Sequence, residues 1–461
     1  MGGCSDAVAL LVLVTTIPRS RRCRYIPDNT RGDDLRVLRI YHAGRDPAHR
    51  ARDRALAALG AEVTLVVPTE WPEGGSEASL SDEPFDIVEL DVQRAGDVNR
   101  HTFADLRALS RLVTSLRPDV VDLHEEPVSL AARQWLGVTG KVPVVMYTAQ
   151  NVDKRYPPPF AQFETAAYRK VRALYPCTRQ AAAVIRAKGF AGLIDVFPLG
   201  VSDLYSPGTQ AADDAEIRLG LIGRLVPEKG IQDAVRLLST LVTHRPARLL
   251  VIGQGPEEAV ARSLAHRLRV ADRVEFLPWQ PEADLARLYQ GLHVVLVPSR
   301  STETWVEQFG RIILEGQASG AVIAGYRSGA IPEIADDISV LVPEGDVAGL
   351  TEAVRMVLGD HVRYEALRQK GIARAAEARW PTVAARQLRL YERAVAEPPA
   401  RVSLPQRAHL RRQFAQAEFG PSAELPGGVH RPFAVPLLRR DASWTRVAGR
   451  AIDLCTRLSG R

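Results

Sequence analysis

Two carboxylates eight residues apart, Glu307 and Glu315, flank a Phe309-Gly310 pair that opens the apolar run Ile312-Ile313-Leu314. An apolar run of this kind predicts a buried helix, where a carboxylate is out of place unless it binds something. A helix that starts at a glycine offers unpaired N–H groups and a positive dipole end to an anion. If the segment were helical throughout, that spacing would put the two carboxylates about 80° apart, so that they address different parts of one elongated ligand. A second stretch, Gly223-Arg224-Leu225-Val226-Pro227-Glu228-Lys229-Gly230, follows an apolar strand and places two cations before a helix. Cations are unfavourable at that end of a helix, and a diphosphate would remove the conflict. The planar fork of Arg224 and the point charge of Lys229 together suit the charge that grows on a departing phosphate.

Weaker signals lie nearby. Gly253-Gln254-Gly255 also follows a strand, and reads either as a tight turn or as a close backbone approach to a ligand. Trp279, in the turn Phe276-Leu277-Pro278-Trp279, offers a flat face to a nucleobase or simply packs.

The elements that must hold these residues are apolar strands alternating with helices. The spacing predicts strands over 35–41, 63–67, 87–92, 120–123, 142–148, 173–176 and 194–197, with helices over 49–60, 103–116 and 179–188. The Pro- and Gly-bearing stretch 206–214 reads as a linker, after which strands recur at 217–222, 248–252, 273–277, 293–297, 321–324 and 339–342. A helical stretch follows from Val347 to Ala394, interrupted at Trp380-Pro381. This repeated pattern predicts two doubly wound α/β domains with ligands at the C-terminal ends of the strands. The expected divisions are an extension over 1–34, outside the fold, then domains over 35–203 and 204–380, a helix over 381–397 and a basic tail over 398–461.

A chain of 461 residues exceeds a single ordinary core, in keeping with two domains. The net charge of +6 is misleading, because residues 398–461 alone hold 11 arginines and 4 acidic residues, an excess of seven. The body is therefore near neutral, and the basic tail shows no aromatic interleaving or nucleic-acid motif. Cys4, Cys23, Cys177 and Cys455 are widely separated and form no C-x-x-C pair, which argues against a zinc site and for a reducing, cytoplasmic location. The apolar run Ala7–Ile17 has its arginines after it rather than before, unlike a secretory signal, and is too short to span a membrane. The tail is a candidate for peripheral contact with an anionic membrane.

In this order and spacing, GRLVPEKG, GQGP, FLPW and EQFGRIILEGQASG resemble the nucleotide-sugar half of retaining glycosyltransferases of family 4, which have the GT-B fold. The resemblance covers the second domain closely and residues 35–396 more loosely. It implies that Arg224 and Lys229 hold a donor diphosphate, Glu315 the ribose and Glu307 the sugar hydroxyls. The backbone at Phe309, Gly310, Arg311 and Ile312 would face the phosphates, with Gly223, Gly253, Gly255 and Trp279 completing the donor side. It also implies an acceptor site in the first domain, around Gly44 after the first strand. There His-Ala-Gly-Arg stands where many members have Gly-Gly. His124, at a strand end, matches a histidine often found near the reacting carbon, and Glu125 or Glu126 could bind sugar hydroxyls. Asn151 lies in the segment Gln150–Tyr156, which is similar to a conspicuous motif of bacterial members.

The function implied is transfer of a sugar, with retention, from a UDP- or GDP-sugar to a saccharide, lipid-linked or small-molecule acceptor. The nucleotide-sugar would be a substrate, and no cofactor or metal is expected, since the chain has no Asp-x-Asp and a cation pair can serve the diphosphate. Rival readings are a nucleotide-sugar epimerase or phosphorylase of the same fold, and a non-catalytic nucleotide-sugar-binding subunit.

Overall fold

The structure, a computed structural model, describes residues 34–72, 82–154, 156–302 and 305–397. The expectations for residues 1–33, for Arg155 and for the tail 398–461 lie outside the described residues.

Apolar runs form two parallel sheets. The first contains β1 (Arg36–Ile40), β2 (Glu62–Pro68), β3 (Asp86–Leu90), β4 (Val120–Leu123), β5 (Val144–Thr148), β6 (Ala173–Pro176) and β7 (Leu193–Ile194) in the order β3-β2-β1-β4-β5-β6-β7. The second contains β8 (Ile217–Ile222), β9 (Ala247–Ile252), β10 (Val274–Leu277), β11 (Val294–Val297), β12 (Val322–Tyr326) and β13 (Val340–Val342) in the order β10-β9-β8-β11-β12-β13. Both sheets reverse direction of growth beside their first strand, between β1 and β4 and between β8 and β11. A crevice opens outside the strand ends at such a point, so the loops after β1, β4, β8 and β11 are where a ligand is expected.

Several boundaries differ from the sequence expectations for physical reasons. Phe103 is not helical: Thr102–Phe103 pairs antiparallel with Val92–Gln93, and the helix starts at Leu106 behind the N-cap Asp105, whose carboxylate accepts from Arg107 N. The strand expected to reach Phe197 stops at Ile194, because Arg386 engages the Asp195 carboxylate and the Val196 carbonyl. Two further helices, Leu130–Val138 and Phe160–Lys170, have no counterpart in the sequence expectations. After β13 there are three helices rather than two, because Asp360 ends one and caps the next. Pro381 sits in the first turn of helix Trp380–Ala396, where a proline helps to start a helix.

That last helix packs Val383, Ala384, Leu390, Tyr391 and Ala394 against Val37, Val120 and Tyr175 of the first sheet. Beneath it lies a buried ionic network. Arg39 contacts Asp53 at 2.7 Å and Asp122 at 3.0 Å, while Asp122 also accepts from Tyr175, Tyr391 and Gln387. Removing one partner from such a network leaves an uncompensated buried charge, at a cost of about 3–5 kcal/mol.

The loops after β8 and β9 run against each other. Gly223 N donates to Ile252 O, Leu225 N to Gln254 O and Glu257 N to Leu225 O. A Cβ on Gly253, where φ is 138°, would lie 1.9 Å from the Gly223 carbonyl oxygen. Gly253→Ala is therefore expected to lower stability by roughly 2 kcal/mol or more. Gly359→Ala, at a helix end with no heavy atom within 4 Å of the added carbon, should be neutral or stabilising. Denaturant unfolding of both variants checks the contrast, and equal stability of the two would refute it.

Candidate active site

The stretch that holds Glu307 and Glu315 divides into a loop and a helix. Gly310 is left-handed, with φ 76°, and heads helix Arg311–Ala318 without a side-chain cap. Glu307 therefore precedes the helix, and the separation estimated for a continuous helix does not apply. Phe309 and Ile313 sit in the core and fix the helix start, with Ile312 packed against them. Glu315 is buried and accepts from Tyr289 Oη at 3.0 Å, with Arg311 Nε 3.7 Å away.

Glu307 is also buried. Its carboxylate meets Lys229 Nζ at 2.6 Å and accepts from Ser299 Oγ at 3.1 Å. The loops after β8 and before helix Arg311–Ala318 are thus joined by one charged contact that the sequence reading did not anticipate. Lys229 also lies over the Trp305 ring, 5.1 Å from its centroid. Gly230 heads helix Ile231–Leu241 in the same left-handed, uncapped way, held against the Pro298 carbonyl where a Cβ would come within 2.1 Å. Arg300 N donates to Glu228 O, which fastens the loop after β11 to that of β8. Arg224 is exposed and makes no ion pair among the described residues.

Two of the other donor-side glycines have a packing explanation. Gly253 and Gly255 are required by the touching backbones of Gly223 and Leu225, whereas Gly223, with φ 139°, faces open space. Trp279 is 61% exposed, which removes the packing reading for it, and it does not line the cavity described next.

A cavity of about 700 Å³ lies between the loops of the two sheets. The first domain contributes Tyr41, His42, His124, Tyr147 and Tyr156, and the second contributes Trp305, Gln308 and Arg311. His124 forms part of its floor. The ring stacks on Tyr147 with centroids 4.0 Å apart, and Nδ1 accepts from Arg39 Nη2 at 3.2 Å. Burial, reinforced by the Arg39 charge, holds the imidazole well below its ordinary pKa. With Nδ1 occupied by the guanidinium donor, the proton sits on Nε2, so His124 is a hydrogen-bond donor there rather than a base.

Three acceptor-side residues have structural partners that the sequence did not reveal. Gly44 packs toward β2, where a Cβ would meet Leu65 and Val67 at 3.2 and 3.3 Å, so it opens no space for an acceptor. Both oxygens of Glu126 brace the end of β5, accepting from Thr148 Oγ1 at 2.6 Å and Ala149 N at 2.9 Å. Asn151 crosses to the second domain, where its Nδ2 donates to the Glu307 carbonyl at 2.8 Å. Glu125 and Glu126 both line the cavity, and Glu125 is buried beside His42, whose Nδ1 lies 2.8 Å from Oε1.

Other groups of the cavity escaped the sequence reading. Tyr41 and Tyr147 read as ordinary β formers near strand ends, while Arg311, expected to offer its backbone to the phosphates, lines the cavity. His101, which contacts the Glu125 region from the ribbon after β3, carries no motif. The absence of a metal was expected from linear spacing, yet His42, His101 and Glu125 come together from three separate segments with ligand-like separations.

Two facing doubly wound domains with a cavity at their switch points constitute the GT-B architecture. Solved structures share it: sucrose-phosphate synthase from Thermosynechococcus elongatus (TM-score 0.61, 19% identity, 78% of this chain and 99% of that one) and Anabaena HepE in complex with UDP and glucose (0.59, 16%, 78% and 99%). Residues 207–374 match the family described as glycosyl transferases group 1, and residues 54–200 match the glycosyl transferase 4-like domain. The chain belongs to the group 1 glycosyl transferases. Among curated relatives, D-inositol 3-phosphate glycosyltransferase of Segniliparus rotundus is 33% identical over 219 residues, 44% of this chain and 47% of the relative. That of Nocardia farcinica is 33% identical over 225 residues, 44% and 48%. The matched region spans about half the length of these relatives. Among the described residues no helix is long and apolar enough to cross a membrane.

Cys177 lies at the junction of the domains, with Sγ 3.9 Å from the Gln308 carbonyl. Burial pushes its thiol up to about 12. At pH 8 the thiolate is then roughly one part in 10⁴, so the native protein should resist iodoacetamide at this residue. Mass spectrometry of the Cys177 peptide should show alkylation only after unfolding; modification of the folded protein would contradict the burial.

Proposed function

We propose that the protein transfers a sugar, with retention, from a UDP- or GDP-sugar to a hydroxyl of a saccharide, lipid-linked or small-molecule acceptor. The observation that carries this reading is the 2.6 Å contact of Lys229 with Glu307 beside the uncapped start of helix Arg311–Ala318. It joins a cation, a carboxylate and free backbone N–H groups at the switch point of the second sheet, and family membership supports the same chemistry.

In the proposed mechanism the donor diphosphate lies between Arg224, Lys229 and the helix start, where positive charge and oriented amides favour an anion. Glu307 compensates Lys229 until the donor arrives, and then accepts from sugar hydroxyls. Glu315, held by Tyr289, accepts from the ribose. His124 donates through Nε2 to an oxygen of the transferred sugar, and Asn151 keeps the Glu307 loop in register. The acceptor hydroxyl attacks on the face that the diphosphate leaves, and the leaving phosphate takes its proton. The diphosphate charge is met by side chains and amides, so this step requires no metal.

The named activity of the curated relatives adds an inositol phosphate to the acceptors worth testing. Arg100, Lys154 and Arg311 in the cavity wall suit an anionic acceptor. The charge excess of residues 398–461 supports peripheral docking of a cytoplasmic enzyme on an anionic membrane.

A panel of UDP- and GDP-sugars should identify the donor by thermal shift, since a ligand at 100 times its Kd stabilises by about 2.7 kcal/mol. With that donor, Lys229→Ala and Glu307→Ala should each lower turnover at least about tenfold, a loss of ~1.4 kcal/mol in transition-state stabilisation. Wild-type turnover in either variant would refute the assignment, and a product of inverted anomeric configuration would refute retention.

A further inference from the structure

The loop between Gln93 and Thr102 brings His101 under the floor of the cavity, beside the two residues that follow β1 and β4 at the first switch point. We propose that His42, His101 and Glu125 form a binding site for a divalent transition cation of the zinc class, with an open coordination position facing the cavity.

Geometry is the first support. One ligand atom from each residue can be chosen so that all lie within 4.8 Å of one another. Three N and O ligands around a tetrahedral zinc ion, at ordinary bond lengths, are about 3.3 Å apart. Of the two separations that converge on Glu125 Oε1, the 3.8 Å to His101 Nε2 is near that value, and the 2.8 Å to His42 Nδ1 is a hydrogen bond whose proton a bound cation would displace.

Unmet bonding capacity is the second support. His101 has no exposed surface, and its Nδ1 donates to the Asp97 carbonyl at 3.1 Å. In the neutral ring Nε2 therefore carries a lone pair, and that atom has no hydrogen-bond partner among the described residues. Glu125, 2% exposed, has a second oxygen, Oε2, that is equally unpartnered. A buried lone pair facing a buried carboxylate is unfavourable, and a cation between them satisfies both.

The surroundings are those of a preorganised ligand set. Metal-binding imidazoles commonly donate their other N–H to a carbonyl, as His101 does to Asp97. The Asp97 loop is itself held, its Oδ1 accepting from Asn99 N and Arg100 N, and Leu130 N donating to Asn99 O. Trp71 covers the site, with its ring centroid 4.6 Å from that of His42 and 5.1 Å from that of His101. Two imidazoles and one carboxylate favour zinc over magnesium or calcium, which prefer oxygen ligands. His42 and Glu125 both line the cavity, so the remaining position points toward the space where a hydroxyl or phosphate oxygen of an acceptor would sit. The site is independent of the diphosphate chemistry proposed for the second domain.

The test uses untagged full-length protein, because the chain holds 10 histidines and a tag would add more. After chelator treatment and dialysis, zinc binding is measured by calorimetry and cobalt substitution by visible absorption. The expected result is one equivalent of zinc and the intense ligand-field bands of four- or five-coordinate cobalt. His101→Ala and Glu125→Gln, each checked for folding by circular dichroism, should weaken zinc binding at least tenfold. Binding well below one equivalent, a weak six-coordinate cobalt spectrum, or wild-type affinity in folded variants would overturn the proposal. Should neither variant fold, the stoichiometry and cobalt spectrum of the wild-type protein decide it alone. Neither readout depends on turnover, so failure here is distinct from failure of the glycosyl-transfer reading.

Discussion

Glu307 is the point on which the two domains and the proposed donor site depend. Its carboxylate binds Lys229 and Ser299, while its carbonyl accepts from Asn151 of the first domain and from Ala330 N of the second. Gly329 must be glycine for this approach, since a Cβ there would lie 2.4 Å from the same carbonyl oxygen. One residue therefore fixes the geometry of its loop and a domain contact together. Glu333 adds a second tie, its carboxylate accepting from Arg179 N and Gln180 N at the start of helix Arg179–Ala187. Both ties lie beside a buried apolar cluster that Tyr147, Ala149 and Cys177 of the first domain share with Phe309, Ala330 and Ile331 of the second.

Much of the fold was legible because buried parallel strands read as uninterrupted apolar runs. Gly223–Gly230 and Phe309–Gly310 were legible for a related reason: a backbone that must turn left-handed needs glycine, and glycine is visible in a sequence. What stayed hidden depends on partners distant in the chain. Asn151 pairs with a carbonyl 156 residues away, and Arg39 inside β1 is matched by Asp122 inside β4. The same glycine signal is ambiguous, because Gly253 and Gly255 also answer to the neighbouring loop and Gly44 to β2. A glycine records a close approach without saying what approaches.

The network beneath His124 shows how distant segments set a site's chemistry. Arg39 donates to Nδ1, and Asp53 and Asp122 hold Arg39 in turn. Asp122 is also held by Tyr391 and Gln387 of the last described helix. The tautomer of a cavity histidine thus rests on a helix more than 260 residues away in sequence. A buried charge pair is weak evidence for net stability, but it fixes which atom donates. That specificity explains why polar residues persist in strands that could otherwise be wholly apolar.

The two switch points solve the problem of recognition differently. In the second domain the loops after β8 and β9 present backbone, with glycines at 223, 230, 253 and 255, and side chains enter mainly through Lys229 and Glu307. In the first domain the loops after β1 and β4 present side chains: Tyr41, His42, His124 and Glu125. Backbone amides recognise what is common to many ligands, such as a diphosphate, and tolerate little change in the chain. Side chains recognise what is particular, and can be replaced without moving the fold. Under the proposed function, acceptor selectivity would reside in the first domain, in groups such as the His42–Glu125 pair that have no linear signature and become visible only when the strands are placed side by side.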